Sequence, residues 1–296
     1  MSEPRTILIS GASGLVGRPL GALLAARGHV VRTLSRASGD FLWAPERGEI
    51  DASAMDGVDT VIHLAGETVA QRWTKAARER ILRSRVKGAE LLVREILKQD
   101  REVSYISASG TGYYGVHPAH PVREGDPHGD GFLADVCRRW EGAASPLIQA
   151  GRRCVLVRTG VVLSAEGGAL KKLLPPFKAG LGGRIGSGRQ MMSWIALEDL
   201  VRVFVRAVDD EGLGGPVNAV APKAVSNADF TRVLGRVLGR PTLFPLPAAV
   251  VVALFGEMGR ETVLSDLNVL PGRLGKCEFS WKYPDLEAAL SHTLDR

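Results

Sequence analysis

Thr6-Ile7-Leu8-Ile9-Ser10-Gly11-Ala12-Ser13-Gly14-Leu15-Val16-Gly17 carries an apolar strand into a G-x-x-G-x-x-G turn, and an apolar helix follows at once through Leu20, Leu23 and Leu24. A dinucleotide pyrophosphate needs this order of parts. Gly11 permits the tight turn, Gly14 lets backbone amides come close to phosphates, and Gly17 lets the new helix pack near the sheet. The helix N-terminus adds unpaired N–H donors and a partial positive charge. Gly11, Ala12, Ser13, Gly14, Leu15, Val16 and Gly17 are therefore the expected phosphate cradle; an ordinary glycine-rich turn is the bland alternative.

Around this loop the chain reads as an α/β protein with a parallel, doubly wound sheet. Expected strands are Thr6 to Ser10, Val30 to Leu34, Val58 to Leu64, Val103 to Ser107 and the almost wholly apolar run Cys154 to Leu163. Expected helices are Thr74 to Lys98 and Phe132 to Ala150. The texture changes at Ala165 to Ser193, where Pro175-Pro176 and Gly180-Leu181-Gly182-Gly183 suggest a departure into a second lobe. This divides the chain into 1–164, a dinucleotide-binding domain, and 165–296, a smaller substrate lobe. Within the second part, 194–222 is expected to return to the sheet as a helix from Leu197 to Val208 and a strand from Val217 to Val220. Ser226-Asn227-Ala228-Asp229 reads as a helix N-terminus, with Gly239 and Pro241 closing that helix. Ala248 to Phe255, after Pro247, reads as a buried helix, and Cys277 to Trp281 as a short strand.

The 296 residues are 45% hydrophobic, enough for one large core or two linked ones. The opening strand is too short for a secretory h-region, and no stretch has the roughly 20 apolar residues of a membrane span. Cys137, Cys154 and Cys277 are scattered, with no C-x-x-C and no zinc-ligand spacing. A cytoplasmic protein without a structural metal is expected. The net charge of +6 comes with no nucleic-acid-binding motif, so the basic balance suits anionic nucleotides better than DNA or RNA. The helix Thr74 to Lys98 shows no clear apolar stripe, which leaves monomer and homodimer both open.

The second strand ends in Thr33-Leu34-Ser35-Arg36. An acid there would bind the ribose 2′-hydroxyl of NAD; a basic residue accommodates the 2′-phosphate of NADP. Arg36 offers a guanidinium fork and Ser35 a hydroxyl, so the expected cofactor is NADP(H). A surface arginine is the alternative for Arg36.

These pieces resemble the extended short-chain dehydrogenase/reductases. Val61-Ile62-His63-Leu64-Ala65-Gly66 is similar to their V-I-H-x-A-(A/G) strand, which implies that Leu64, Ala65 and Gly66 pass the cofactor's ribose and diphosphate. Ser107-Ala108-Ser109-Gly110-Thr111-Gly112-Tyr113-Tyr114-Gly115 resembles their S-S-x-x-x-Y-G segment, and Ser193 to Leu200 their F-I-H-V-x-D-L/V segment. A narrower resemblance is to the atypical branch called epimerase family proteins. It rests on Leu64-Ala65-Gly66-Glu67 with Arg72-Trp73-Thr74, Ser84-Arg85-Val86, Gly131 to Ala134 leading to Trp140-Glu141, Arg158 to Ser164, Pro175 to Trp194, and the C-terminal extension through Gly256-Glu257-Met258 and Phe279 to Leu290. It covers essentially the whole chain.

The superfamily's usual chemistry needs Tyr-x-x-x-Lys on a helix, which is absent here. If Glu141 matches the family's trailing glutamate, Leu133 stands for the tyrosine and Cys137 for the lysine, and leucine transfers no proton. Ser109 matches the serine that orients the substrate oxygen, and Ser107 lies just before it. Tyr114 is a candidate acid/base or a residue packed beside Gly115. Glu67 is a candidate base, a cap, or a partner of a ribose hydroxyl. Arg85 is a candidate contact for a cofactor phosphate or a substrate anion, or part of a solvated face. Cys137 lacks a histidine partner and reads as structural. Lys171-Lys172 and Arg184 to Arg189 flank the glycine-rich loops of the second lobe, a region that covers the substrate in related nucleotide-sugar enzymes, so the resemblance makes Arg184 and Arg189 candidate anion contacts. Trp73 and Trp194 either stack on a ring or anchor the core. The expected activity is an NADP(H)-dependent oxidoreductase or epimerase acting on a small carbonyl or sugar-like substrate. The alternative is an NADP(H)-sensing regulatory or scaffold protein with a degenerate site.

Overall fold

The computed structural model describes residues 3–295. Its strands are β1 (Thr6–Ser10), β2 (Val30–Ser35), β3 (Phe41–Ala44), β4 (Glu49–Ile50), β5 (Thr60–His63), β6 (Ser104–Gly110), β7 (Cys154–Thr159), β8 (Val161–Leu163), β9 (Met191–Met192), β10 (Trp194–Ala196), β11 (Gly215–Ala219) and β12 (Val225–Ser226). Its helices are α1 (Gly17–Ala26), α2 (Lys75–Leu97), α3 (Phe132–Gly142), α4 (Ser145–Gln149), α5 (Gly168–Lys178), α6 (Leu197–Asp209), α7 (Asn227–Leu238), α8 (Ala248–Met258), α9 (Gly272–Lys276) and α10 (Leu286–Thr293).

The main sheet has the order β11-β7-β6-β5-β1-β2-β3-β4, parallel except for the terminal β3–β4 pair. Strand alternation sorts its side chains into two cores. Ile7, Ile9, Ile62, Ile106, Val155, Val157 and Val217 face α1 and α6. Leu8, Val61, Tyr105 and Leu156 face the opposite way, with Leu91, Leu92 and Ile96 of α2 and Leu147 of α4. Burial on both faces explains the near-continuous apolar runs of β1 and β7.

The doubly wound α/β reading matches this architecture. Several local expectations do not. The run Cys154 to Leu163 is two strands that part at Gly160, where a Cβ would lie 2.7 Å from the Ser193 carbonyl oxygen; β8 leaves the main sheet to pair with β10. The helix from Phe132 breaks after Gly142, and α4 restarts with Pro146 in its first turn. Pro175 and Pro176 lie inside α5 rather than in a loop. Cys277 to Trp281 forms no strand. The helix after Pro247 forms, but it is not buried: Leu254 is 63% exposed and Phe255 40%. Ser226 caps α7 as expected, its hydroxyl accepting the Asp229 amide proton at 3.0 Å, and Gly239 closes the helix at φ 62.

A smaller core gathers α5, β8, β10, α7 and α10 around Trp194, which is buried and serves as an anchor. Trp73 is buried in another cluster, with Ile81 of α2, Val136 of α3 and Met258.

Candidate active site

The glycine loop leaves β1 at the carboxyl edge of the sheet. Gly11 has φ 78, and a Cβ on it would lie 2.7 Å from the Ala65 nitrogen and 2.9 Å from the Leu64 carbonyl carbon. The expected cradle and the expected ribose-side strand end are thus in backbone contact. A Cβ on Gly14 would lie 3.2 Å from the Gly11 oxygen, and one on Gly17 would meet that oxygen and lie 2.7 Å from Ala12 Cα. Close approach of backbone therefore requires glycine at 11 and 17 and makes position 14 tight. No acidic residue occupies the first turn of α1, and the amides of Leu15 and Val16 find no acceptor among the described residues. Ser13 lends its carbonyl oxygen to Arg18 at 2.9 Å.

Beyond β2, Ser35 Oγ accepts from the amides of Ala37 and Ser38 at 3.4 Å each. Arg36 is exposed and, among the described residues, has no carboxylate within ion-pair distance.

Glu67 and Arg85 meet each other. Arg85 Nη1 donates to the carbonyl oxygens of Glu67 and Ile81, both at 3.0 Å, while the Glu67 amide donates to Ser84 Oγ at 3.0 Å. The Glu67 carboxylate accepts from Gln71 Nε2 at 3.1 Å. The Arg85 guanidinium lies 5.2 Å from the Trp140 ring centre, and a Cβ on Gly66 would be 3.1 Å from its Cζ. Arg85 thus braces the loop after β5 from below. Burial lowers its pKa against the attraction of Cys137 and Glu67.

A second assembly crosses the sheet. Ser109 of β6, Arg158 of β7 and Asn218 of β11 stand in register on three adjacent strands. Alternation puts all three on the face that α2 and α3 cover. Ser109 Oγ donates to Glu141 Oε1 at 2.7 Å. Arg158 holds the same carboxylate with both arms, Nε to Oε1 at 2.8 Å and Nη2 to Oε2 at 2.7 Å. Its Nη1 donates to the Tyr114 hydroxyl at 2.9 Å, which in turn donates to Asn218 Oδ1 at 2.7 Å. The Arg158 guanidinium also lies 3.4 Å from the centre of the Tyr113 ring. Burial opposes the charge on Arg158, but the hydrogen bonds and charge of Glu141 outweigh it and raise its pKa. Burial raises the Tyr114 pKa against the opposing pull of Arg158.

Sequence reasoning did not single out Arg158 or Asn218. The signal was available: a charged residue in an otherwise apolar central strand must find a buried partner.

Leu133 and Cys137, the residues expected where the family carries its Tyr-x-x-x-Lys pair, offer no group poised for proton transfer. Leu133 packs against Gly112, whose Cβ position lies 3.1 Å from Leu133 Cβ. Cys137 is buried, and burial with the nearby Glu141 charge pushes its thiol up to about 11. Lys172 donates to the Ala70 carbonyl at 2.8 Å and Arg184 to that of Ser187 at 3.0 Å. Among the described residues no cluster of His, Cys, Asp and Glu fits a metal ion, and no helix is long and apolar enough to cross a membrane.

Residues 7–132 match the NAD dependent epimerase/dehydratase family, and residues 246–293 match a domain of unknown function. An epimerase family protein of Mycobacterium bovis is 42% identical over 295 residues, 98% of each chain. The human epimerase family protein SDR39U1 is 36% identical over 291 residues, 96% of this chain and 98% of its own. A crystal structure of that human protein with NADPH superposes at a TM-score of 0.89, covering 98% of this chain and 99% of the other at 34% identity. A UDP-glucose 4-epimerase of Thermus thermophilus, solved with NAD, shares the fold at a TM-score of 0.73 and 17% identity, covering 98% of each chain. With identity sustained over nearly the full length of both chains, this protein belongs to the epimerase family proteins of the NAD-dependent epimerase/dehydratase family, on the short-chain dehydrogenase/reductase fold.

Proposed function

We propose that this chain binds NADP(H) and acts as an oxidoreductase or epimerase on a small carbonyl or nucleotide-sugar-like substrate. The observation that carries the cofactor assignment is the cradle itself: at Gly11, Gly14 and Gly17 a side chain would press on neighbouring backbone. The unpaired amides of Leu15 and Val16 at the start of α1 suit a diphosphate. Arg36, exposed and without a carboxylate partner among the described residues, suits the 2′-phosphate. The human relative's crystal structure with NADPH supports the same assignment.

When bound, the nicotinamide supplies hydride chemistry. The chain's own residues do the rest. Leu64, Ala65 and Gly66 form the wall beside the loop, braced by Arg85, with Ser107 behind them. Ser109 orients a substrate oxygen. Glu67 and Tyr114 are the remaining groups able to exchange a proton; Tyr114 is tied to Arg158 and Asn218, which makes it a support for the Ser109 region as much as a donor.

The apolar Leu133 and buried Cys137 favour one other reading, a protein that senses NADP(H) without turning it over. One experiment separates the two. The purified protein is titrated with NADPH and NADH by fluorescence, then challenged with a panel of carbonyl compounds and nucleotide sugars. Tight NADPH binding with faster cofactor oxidation, or with sugar epimerisation, supports the enzyme. Binding without turnover supports the sensor, and no binding removes both.

A further inference from the structure

We propose that Glu141 is the proton acceptor behind Ser109, with Arg158 as its fixed counter-charge, replacing the absent Tyr-x-x-x-Lys pair. The inference rests on the enzymatic reading above and names the residue that completes its acid–base chemistry.

The argument starts from the Ser109 hydroxyl. It has one proton and two lone pairs. In the structure the proton goes to Glu141 Oε1 at 2.7 Å, so toward a substrate hydroxyl the serine would act as acceptor. Glu141 is held so that it can receive that proton. Its carboxylate is bound by both Nε and Nη2 of Arg158, and the side chain is 9% exposed. Arg158 is itself immobile, fixed by the Tyr114 hydroxyl, the Glu124 carbonyl oxygen at 3.3 Å and the Tyr113 ring. The titratable and charged groups facing Glu141 are Arg158, Cys137 and, through Arg158, Tyr114. Of these, Arg158 provides a positive charge that favours the carboxylate.

In the oxidation direction the substrate O–H bond breaks and its proton passes to Ser109 Oγ, as the serine proton passes to Glu141 Oε1. The carbon–hydrogen bond breaks with its electron pair, and the hydride goes to the oxidised nicotinamide. The carbonyl forms, and Glu141 is left as the neutral acid. Reduction runs the same steps backwards. Arg158 contributes by position: it keeps the receiving oxygen aimed at Ser109 while its other arm is anchored on Tyr114.

Two measurements test this. The first needs no cofactor. The carboxyl carbon of Glu141 is observed by isotope-edited NMR at one neutral pH in wild type and Ser109→Ala. Loss of the serine donor is expected to shift that resonance, because the 2.7 Å hydrogen bond to Oε1 has been removed. An unmoved resonance overturns the proposal. The second uses the panel substrate on which wild type is active. Glu141→Gln is expected to lose roughly 100-fold in kcat with the NADPH affinity and KM held. Glu141→Asp is expected to recover part of kcat. If Glu141→Gln does not fold, Ser109→Ala, which keeps the ion pair, carries the same comparison. Full kcat in either folded variant overturns the proposal alone; no turnover by wild type on any panel member overturns the enzymatic reading and this one with it.

Discussion

Glu261 Oε2 accepts the amide proton of Leu133 at 2.9 Å, and its Oε1 accepts that of Phe132 at the same distance. A carboxylate from the C-terminal domain thus caps the helix whose first turn carries Leu133. Gly131, at φ 112, leaves room for it: a Cβ there would lie 3.0 Å from Glu261 Oε1. The domain of unknown function is therefore part of the wall over α3. Glu261→Ala leaves two first-turn amides without their acceptor and is expected to lower stability by about 1–2 kcal/mol. Denaturant unfolding measures this, and limited proteolysis near Met258 should accelerate in parallel.

Gly17→Ala places a methyl group against the Gly11 carbonyl oxygen and Ala12 Cα. Either the loop or the start of α1 must shift, and the amides of Leu15 and Val16 move with it. NADPH affinity is expected to fall by roughly tenfold or more. Fluorescence titration measures it, with circular dichroism showing that the fold persists; unchanged affinity would remove the loop from the cofactor site.

Much of the fold was legible because its causes are local. The strand, turn and helix from Thr6 to Ala26 need only neighbouring residues to specify them, and the Ser226 cap lies three residues from the amide it satisfies. What was not legible depends on partners far along the chain. The break falls at Gly160, where the backbone runs against the Ser193 carbonyl. The apolar run from Ala248 says that a helix can be buried, not that anything covers it, and Leu254 stays exposed. Ser109 could be read from its motif, but its partner Glu141 and the row Ser109–Arg158–Asn218 appear only once three strands are in register.

Arg36→Asp tests the 2′-phosphate assignment. Removing a guanidinium and adding a carboxylate should weaken NADPH by roughly tenfold or more and leave NADH unchanged or improved, since an acid at this position suits the free hydroxyl. Parallel titrations with both nucleotides check it, and a constant NADPH-to-NADH ratio would refute it.

Arg158→Met removes one partner of a buried ion pair and strands Glu141 with its charge among Cys137, Ser109 and the α3 backbone. The expected loss is about 3–5 kcal/mol. Pairing it with Glu141→Leu removes both charges and should recover a substantial part of that loss. Urea unfolding of the two single variants and the double gives the coupling directly; additive losses would show that the two side chains act independently.

His63 sets an acid limit on stability. It is fully buried between Trp43 and Trp140, edge-to-face with each, with Nδ1 2.7 Å from Ser10 Oγ. Burial lowers its pKa to about 4 from 6.5. The folded state therefore holds His63 neutral while the unfolded chain binds a proton below 6.5. Its contribution is present above the unfolded value and is lost as pH falls through the folded one, a total of roughly 3 kcal/mol. His63→Phe keeps an aromatic ring between the tryptophans and removes the titration. The variant should be less stable than wild type near neutrality, because Ser10 loses its partner, and the difference should shrink steadily toward about pH 4 as wild type alone gives up the histidine contribution. Chemical unfolding of both proteins at a series of pH values measures that difference; a gap constant with pH would show that His63 does not titrate with folding.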